Sequence, residues 1–550
     1  MQTVSIDDSF FDLGGHSLLA ARLAARASTA LGLNLTIADV FHSPTPVALI
    51  QRKSNGTRRP ELVAGRRPET VPLSYAQHRL WFLNKLEGPS ATYNVPLSVR
   101  LRGELNVEAL RAAFGDVVRR HEVLRTVFDS SEGEPCQRVL EDDQVVFACQ
   151  RVDAVSLDGE LRAAAGHLFD IATEPPIRVA LFDVDGRDEC VLLVLLHHIA
   201  TDGLSVRPLF ADLATAYAAR VGGKAPDWAA LPVQYADYAL WQREMLGDES
   251  NPDSAFAKEL AFWRERLAGL PEELGLPFDR PRPVVAGHRG GAVVVQWDEE
   301  LHRRLVELAR AEKCTLFMVL QAALAVTLAR FGAGDDVPIG SPVAGRSDDA
   351  LDDMVGFFVN MLVLRTDVSG DPAFRELLAR VRAADLEAYA HQDMPFDRLL
   401  EALNPVRSLS RHPLFQVCLA LESGAGAELK LPGVQAEPGS IVDTGSAKFD
   451  LELLLREDAG SGITGAVLYS AEIFDHPTVE RIVGALRSVL EQIAADPGVT
   501  VGAVDVLGAD RGLVVEGWNA TVVDVVDGSL GELFEARVAA VPDAVALVFG

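Results

Sequence analysis

The chain has 550 residues, 48% hydrophobic and 24% charged, with 51 Lys and Arg against 79 Asp and Glu for a formal net charge of −28. That length exceeds one ordinary domain, and the composition is that of a globular chain. The negative charge argues against non-specific nucleic-acid binding and against an anionic membrane surface.

Five cysteines, at 136, 149, 190, 314 and 418, form no C-x-x-C pair. Neither a zinc site nor a disulfide framework is expected, and a reducing, cytoplasmic compartment fits. The N-terminus lacks the basic and apolar regions of a signal peptide, and no apolar run reaches eighteen residues.

Residues 1–52 read as a small helical unit, with apolar periodicity through Leu18, Leu19, Leu23 and Ala24. Within it, Phe10-Phe11-Asp12-Leu13-Gly14-Gly15-His16-Ser17-Leu18-Leu19 sets a serine after a Gly-Gly turn at the mouth of a helix. A hydroxyl there lies near unpaired backbone N–H groups, which suits an attached phosphate; the plain alternative is an N-cap. A hydrolase elbow needs Gly two residues on, where Leu19 stands.

Residues 53–70 lose periodicity and gain charge, Gly and Pro, as a linker does. From 71 to 505 helical patterns (Val107 to His121, Phe374 to Ala390) alternate with strand-like runs (Val293 to Trp297, Val355 to Leu364), an α/β or α+β pattern. Leu316 to Leu328, broken by Gln321, reads as a buried helix. So long a block implies two lobes, 71–250 and 251–505.

Val191 to Leu196 is an apolar run of strand length that leads into His197-His198-Ile199-Ala200-Thr201-Asp202-Gly203. Strand side chains alternate in direction, so one histidine faces the packed interior and the other a cavity. After Val506 a fresh segment, 506–550, stops inside an apolar run and looks cut from something longer.

Asp12-Leu13-Gly14-Gly15-His16-Ser17 resembles the phosphopantetheine attachment motif of peptidyl carrier domains in non-ribosomal peptide synthetases. The resemblance implies that Ser17 carries 4'-phosphopantetheine. It also implies that Asp12, Gly14, Gly15 and His16 form the loading motif met by a phosphopantetheinyl transferase and its magnesium. The carrier's first helix would precede residue 1, leaving a truncated carrier domain.

The block from 71 to about 505 resembles the condensation domain of the same synthetases, through seven stretches in order. They are Ser74 to Leu83, Arg120 to Phe128, His197 to Ser205, Tyr235 to Trp241, Val355 to Asn360, His391 to Asp397 and Arg411 to Leu414. The resemblance implies a two-lobed fold like chloramphenicol acetyltransferase and amide-bond formation between carrier-bound donor and acceptor thioesters. It gives the chemistry to His198, which takes the amine's proton or holds the amine, work typically contributing roughly 10²–10⁴-fold.

By the same resemblance His197 is scaffold, and Asp202 pairs with an arginine, Arg346 first and Arg125 second. Gly203 leaves room for an incoming arm, and His121, His391 and His412 are packing residues. Gly517 to Thr521 and Leu533 to Leu547 resemble the entry of an adenylation domain. The expected partners are the upstream carrier as donor, a downstream carrier as acceptor, the adenylation domain and the transferase.

Domain order leaves no room for epimerisation before the condensation block, so an L-configured donor is expected. Two alternatives remain: a coenzyme A-dependent acyltransferase, and a non-catalytic carrier-docking platform.

Overall fold

The computed structural model describes residues 4–13, 15, 17–31, 33, 35–52, 59–130, 133–141, 145–406, 408–423, 427–439, 445–458, 460, 462–522, 527–545 and 547–549. The N-terminal segment folds as helices Ser17–Leu31, Ile37–His42 and Pro46–Ile50. Thr36 and Asp39 close a reciprocal capping box at the second, satisfying N–H groups that a short helix otherwise leaves to water. Ala20, Ala24, Leu35, Val40 and Leu49 are buried.

Two mixed sheets and a small antiparallel one of Val71–Pro72, Cys136–Val139 and Thr126–Asp129 organise the rest of the unit that spans Met1–Val504. The five-stranded sheet runs Val434–Pro438, Asn94–Gly103, Glu189–His197, Ile177–Val184 and Val146–Val152, antiparallel except for its last pair. Its centre, Glu189–His197, is apolar without alternation because both faces are covered. Leu192, Val194 and Leu196 enter the main core, while Val191 and Leu193 pack with Leu157 and Leu161 of the helix Leu157–Ala165.

The six-stranded sheet runs Asn360–Asp367, Asp336–Val343, Val417–Ser423, Leu451–Asp458, Gly462–Ser470 and Gly290–Trp297. Helices Leu316–Leu328 and Phe374–Ala390 belong to this lobe, with the bounds the apolar spacing gives for both. Every residue of Leu316–Leu328 except Phe317 is buried.

One sequence expectation needs correction. Val355 to Leu364 is a strand only from Asn360 onward. Residues 352–359 leave the sheet because Met354, Val355, Phe357 and Phe358 fill the core of the first lobe, and side chains take the N–H groups of Val355, Gly356 and Phe358.

One strand pairing crosses residue 250. Residues 434–438 pair with the edge strand Asn94–Gly103, covering groups that an open edge would expose. Residues of the linker from 59 onward touch the following block. Leu62 is buried, Arg67 bonds Glu122 and Asp237, and the Trp241 indole donates to the Pro60 carbonyl.

Residues Asp505–Gly550 form a second unit. Its helix, Leu530–Ala540, opens with a capping box between Ser529 and Glu532.

Candidate active site

The strand Glu189–His197 ends where His197 pairs in register with Asn94, whose amide donates to the carbonyls of Ala165 and His167 at 2.7 and 2.8 Å. From there the chain turns in two short 3-10 segments, His198–Ala200 and Gly203–Ser205. The reversal is pinned when the His198 N–H donates to the Tyr93 carbonyl at 2.8 Å. It sets the second histidine against Phe357.

His197 is buried, its Nδ1 accepting from the Ile199 N–H at 3.2 Å and its ring edge-on to Phe169. Burial, then the neighbouring His198, then Lys448, push its imidazole down to about 3. It stays neutral and packed.

His198 is half-buried against Phe357, ring centroids 4.8 Å apart. Its Nδ1 lies 2.8 Å from the Thr201 carbonyl oxygen, which can only accept, so Nδ1 carries the proton. Nε2 is then a lone pair, and among the described residues nothing bonds to it. Burial first, then Lys448, drive this imidazole down to about 4, with Asp202 opposing. The ring offers an acceptor at neutral pH.

Asp202 is wholly buried and fully committed. Oδ1 accepts from the Ser205 N–H (2.9 Å), the Ser205 hydroxyl (2.8 Å) and Arg346 Nη2 (3.2 Å), while Oδ2 accepts from the Phe358 N–H (3.0 Å). Such a carboxylate ties the turn to its neighbours, and its burial keeps it from a substrate.

Of the two candidate arginines, Arg346 makes the pair and Arg125 does not. Arg125 ends the turn Glu122–Arg125, and its guanidinium donates to the Leu140 carbonyl. Arg346 is buried, lies 4.2 Å over the Phe358 ring, and donates to the carbonyls of Leu351 and Met354 as well. It joins the histidine turn to the 346–358 loop.

Gly203 is exposed, and a Cβ there would stand 3.2 Å from Glu422 Oε1 of the opposite sheet. His121 is buried and bonds Asp212 through Nε2 at 2.8 Å while accepting from the Val355 N–H through Nδ1. His391 stacks on Phe262, and His412 packs among Phe396, Phe415 and Phe449.

Ser17 opens its helix, and the exposed Asp12 lies in the preceding turn. Gly14, His16 and the Ser17 side chain lie outside the described residues. The Gly15 N–H donates to the Phe10 carbonyl at 2.9 Å, and a Cβ on Gly15 would stand 2.3 Å from the Phe10 ring. Only glycine fits that turn, which delivers residue 17 to a helix start where backbone N–H groups are unspent.

Sequence reasoning passed over three residues. Ser205 answers Asp202 in a capping pair whose D-x-x-S spacing is visible in the sequence. Phe357, against His198, and Lys448, 5.6 Å over the Tyr93 ring, carry no local signal.

The fold is a two-lobed mixed α/β one like that of chloramphenicol acetyltransferase, with a neutral imidazole at a strand end locked in one tautomer. Known proteins agree. Residues 68–511 match the condensation-domain model, and residues 1–52 match the phosphopantetheine attachment site.

The chain is 53% identical over its full length to CymA of Salinispora arenicola, described as a probable non-canonical nonribosomal peptide synthetase. Over 99% of its length it is 49% identical to a dimodular nonribosomal peptide synthase of Bacillus subtilis. It spans 7% and 23% of those two relatives. Among solved structures, the X-domain in its complex with OxyB from teicoplanin biosynthesis matches with a TM-score of 0.77 and 37% identity, over 82% of this chain and 99% of that one.

The chain belongs to the condensation-domain family of nonribosomal peptide synthetases and carries a phosphopantetheine attachment segment at its N-terminal end.

Proposed function

We propose that this protein condenses a donor acyl thioester, delivered by its own upstream carrier on Ser17, with the amine of an acceptor aminoacyl thioester on a downstream carrier. When bound, the phosphopantetheine supplies a thiol on a flexible arm. Residues 12–17 fit that role by the exposed Asp12, the Gly15 turn and the helix start.

The observation that carries the reading is the Nε2 lone pair of a neutral His198, unbonded among the described residues, with its tautomer fixed by Thr201. That lone pair accepts a hydrogen bond from the acceptor amine and aims it. As the nitrogen attacks the donor carbonyl it turns strongly acidic, and Nε2 takes its proton. The C–N bond forms, the C–S bond breaks, and the thiolate leaves with a proton. An imidazole near 4 is too weak a base to deprotonate a resting ammonium, so positioning precedes proton transfer.

His197, Asp202, Gly203 and Arg346 hold this geometry without touching the reacting atoms. Residues 506–550 read as a linker and the start of an adenylation domain, whose activated residue feeds the acceptor carrier. A phosphopantetheinyl transferase loads Ser17. An L-configured donor and a cytoplasmic setting complete the reading.

The test is His198→Ala in loaded protein, with circular dichroism as the control for folding. Dipeptidyl transfer should vanish while the fold stays intact; full-rate transfer would overturn the role. A second reading, a docking platform, has one observation in its favour, since the structurally similar X-domain was solved in complex with another protein, OxyB. An intact His197, His198, Asp202 and Arg346 set favours catalysis. Coenzyme A thioesters replacing carrier-bound ones at equal rate would favour the third alternative.

A further inference from the structure

Helix Ser17–Leu31 holds two arginines, Arg22 and Arg26, and no acidic residue, in a chain of net charge −28. The loop that begins at Arg346 holds four aspartates in six residues, Asp348, Asp349, Asp352 and Asp353. The two meet. Arg26 Nε donates to Asp349 Oδ1 at 3.2 Å and Nη2 to Asp352 Oδ2 at 3.0 Å, one guanidinium across two carboxylates on either side of the turn Asp349–Leu351.

An isolated exposed ion pair does little. This one differs in three ways. The Asp352 side chain is only 13% exposed. Asp348 caps the same turn, its carboxylate accepting from the Ala350 N–H at 2.9 Å. A second contact fixes the same segment, where helix Ile37–His42 packs on helix Phe374–Ala390 and Phe11 and Phe41 line a cavity shared with Val306 and Arg382.

What lies behind the turn gives the contact its meaning. The Leu351 and Met354 carbonyls accept from Arg346, which also reaches Asp202 and Ser205. A few residues on, Phe358 N–H binds Asp202 and Phe357 lies on His198. One loop therefore bears the carrier's contact on its outer side and the catalytic turn's clamp on its inner side. Arg26 sits nine residues past Ser17, about 13.5 Å along the helix axis, so this grip lies well away from the attachment residue.

We infer that the aspartate-rich turn Asp349–Asp352 is the docking point for the donor carrier's helix Ser17–Leu31 through Arg26, and that docking there orders the 346–358 loop that supports His198. This rests on the reading of residues 1–52 as the donor carrier.

The test uses the full chain with Arg26→Glu, Asp349→Arg and the charge swap Arg26→Asp with Asp349→Arg. Amide hydrogen exchange over 346–358, read without loading, should quicken in both single variants and return in the swap. Transfer from the chain's own carrier should fall roughly three- to tenfold in the single variants and recover in the swap. A donor offered as a small soluble thioester bypasses delivery by the carrier but still needs the ordered loop, so it should slow in the single variants, by less than the carrier-bound donor, and recover in the swap.

Unchanged exchange and transfer in Arg26→Glu, with His198→Ala still inactive, overturn the docking and leave the function standing. Slowing that the swap fails to restore also overturns it. Should His198→Ala retain transfer, the function falls and the exchange arm alone decides the docking.

Discussion

His198 is neutral for reasons that arrive from different parts of the chain. Its turn buries it, Thr201 fixes its tautomer, and Lys448 comes from the loop ahead of the strand Leu451–Asp458. Lys448 and Asp202 act in opposite senses, with His197 beside the ring and neutral. Replacing Lys448 with Met should therefore raise the His198 midpoint from about 4 toward the ordinary histidine range, read by NMR of the labelled imidazole. An unmoved midpoint would mean that burial acts alone. The sign for activity follows, since a higher midpoint protonates Nε2 sooner as pH falls and the acid limb of the rate profile should shift upward in pH.

At the scale of elements, the site is a junction between one turn and one loop. The loop 346–358 has no sheet or helix ladder over residues 352–359, and its N–H groups are taken by His121, Ser205 and Asp202. Arg346→Ala should cost about 3 kcal/mol, the low end for breaking a buried pair, because Asp202 keeps its Ser205 and Phe358 bonds. Urea unfolding measures it. The double variant with Asp202→Asn should cost less than the two single changes added, because both act on one contact. Additivity would mean that the 3.2 Å pair contributes nothing.

The same junction shows what a sequence can and cannot reveal. Helices Leu316–Leu328 and Phe374–Ala390 are legible because period and punctuation are local. The histidine turn is legible as well, since Asp202 and Ser205 cap within three residues of each other. Residues 355–359 read as strand by composition, but their partners lie 151 to 234 positions away, so no local pattern reports them. Lys448 reaches the site from a loop without periodicity. The choice of Arg346 over Arg125 turns on which guanidinium the fold sends toward Asp202, and the chain order of the two is silent on that.

Across the whole molecule, buried titratable groups set how stability depends on pH, and two sets oppose each other. His197 and His198 sit at about 3 and about 4, and burial lowers His121 and His412 too. Below the ordinary histidine value near 6.5 the unfolded chain binds protons that the folded one refuses, so these groups add stability as pH rises to that value and nothing beyond it. Asp385 behaves inversely. Its carboxyl is buried between helices Leu316–Leu328 and Phe374–Ala390, where Gln321 donates to Oδ1 and Oδ2 has no partner among the described residues, and burial raises it to about 8. Asp397, raised to about 7 by burial against the pull of Arg79, acts the same way over a narrower range. From about 4 upward the folded state keeps protons that the unfolded state has lost, so stability falls with pH until each group ionises in place. Above 6.5 the histidine gain is exhausted and the carboxyl loss continues. Stability should therefore decline between pH 6.5 and about 8, by on the order of 1–2 kcal/mol at about 1.4 kcal/mol per unit. Asp385→Asn keeps the shape and the Gln321 contact while removing the titration, so urea midpoints of that variant at pH 6.5 and 8 should differ much less than those of the unaltered chain. Equal declines in both would show that Asp385 is not the group responsible.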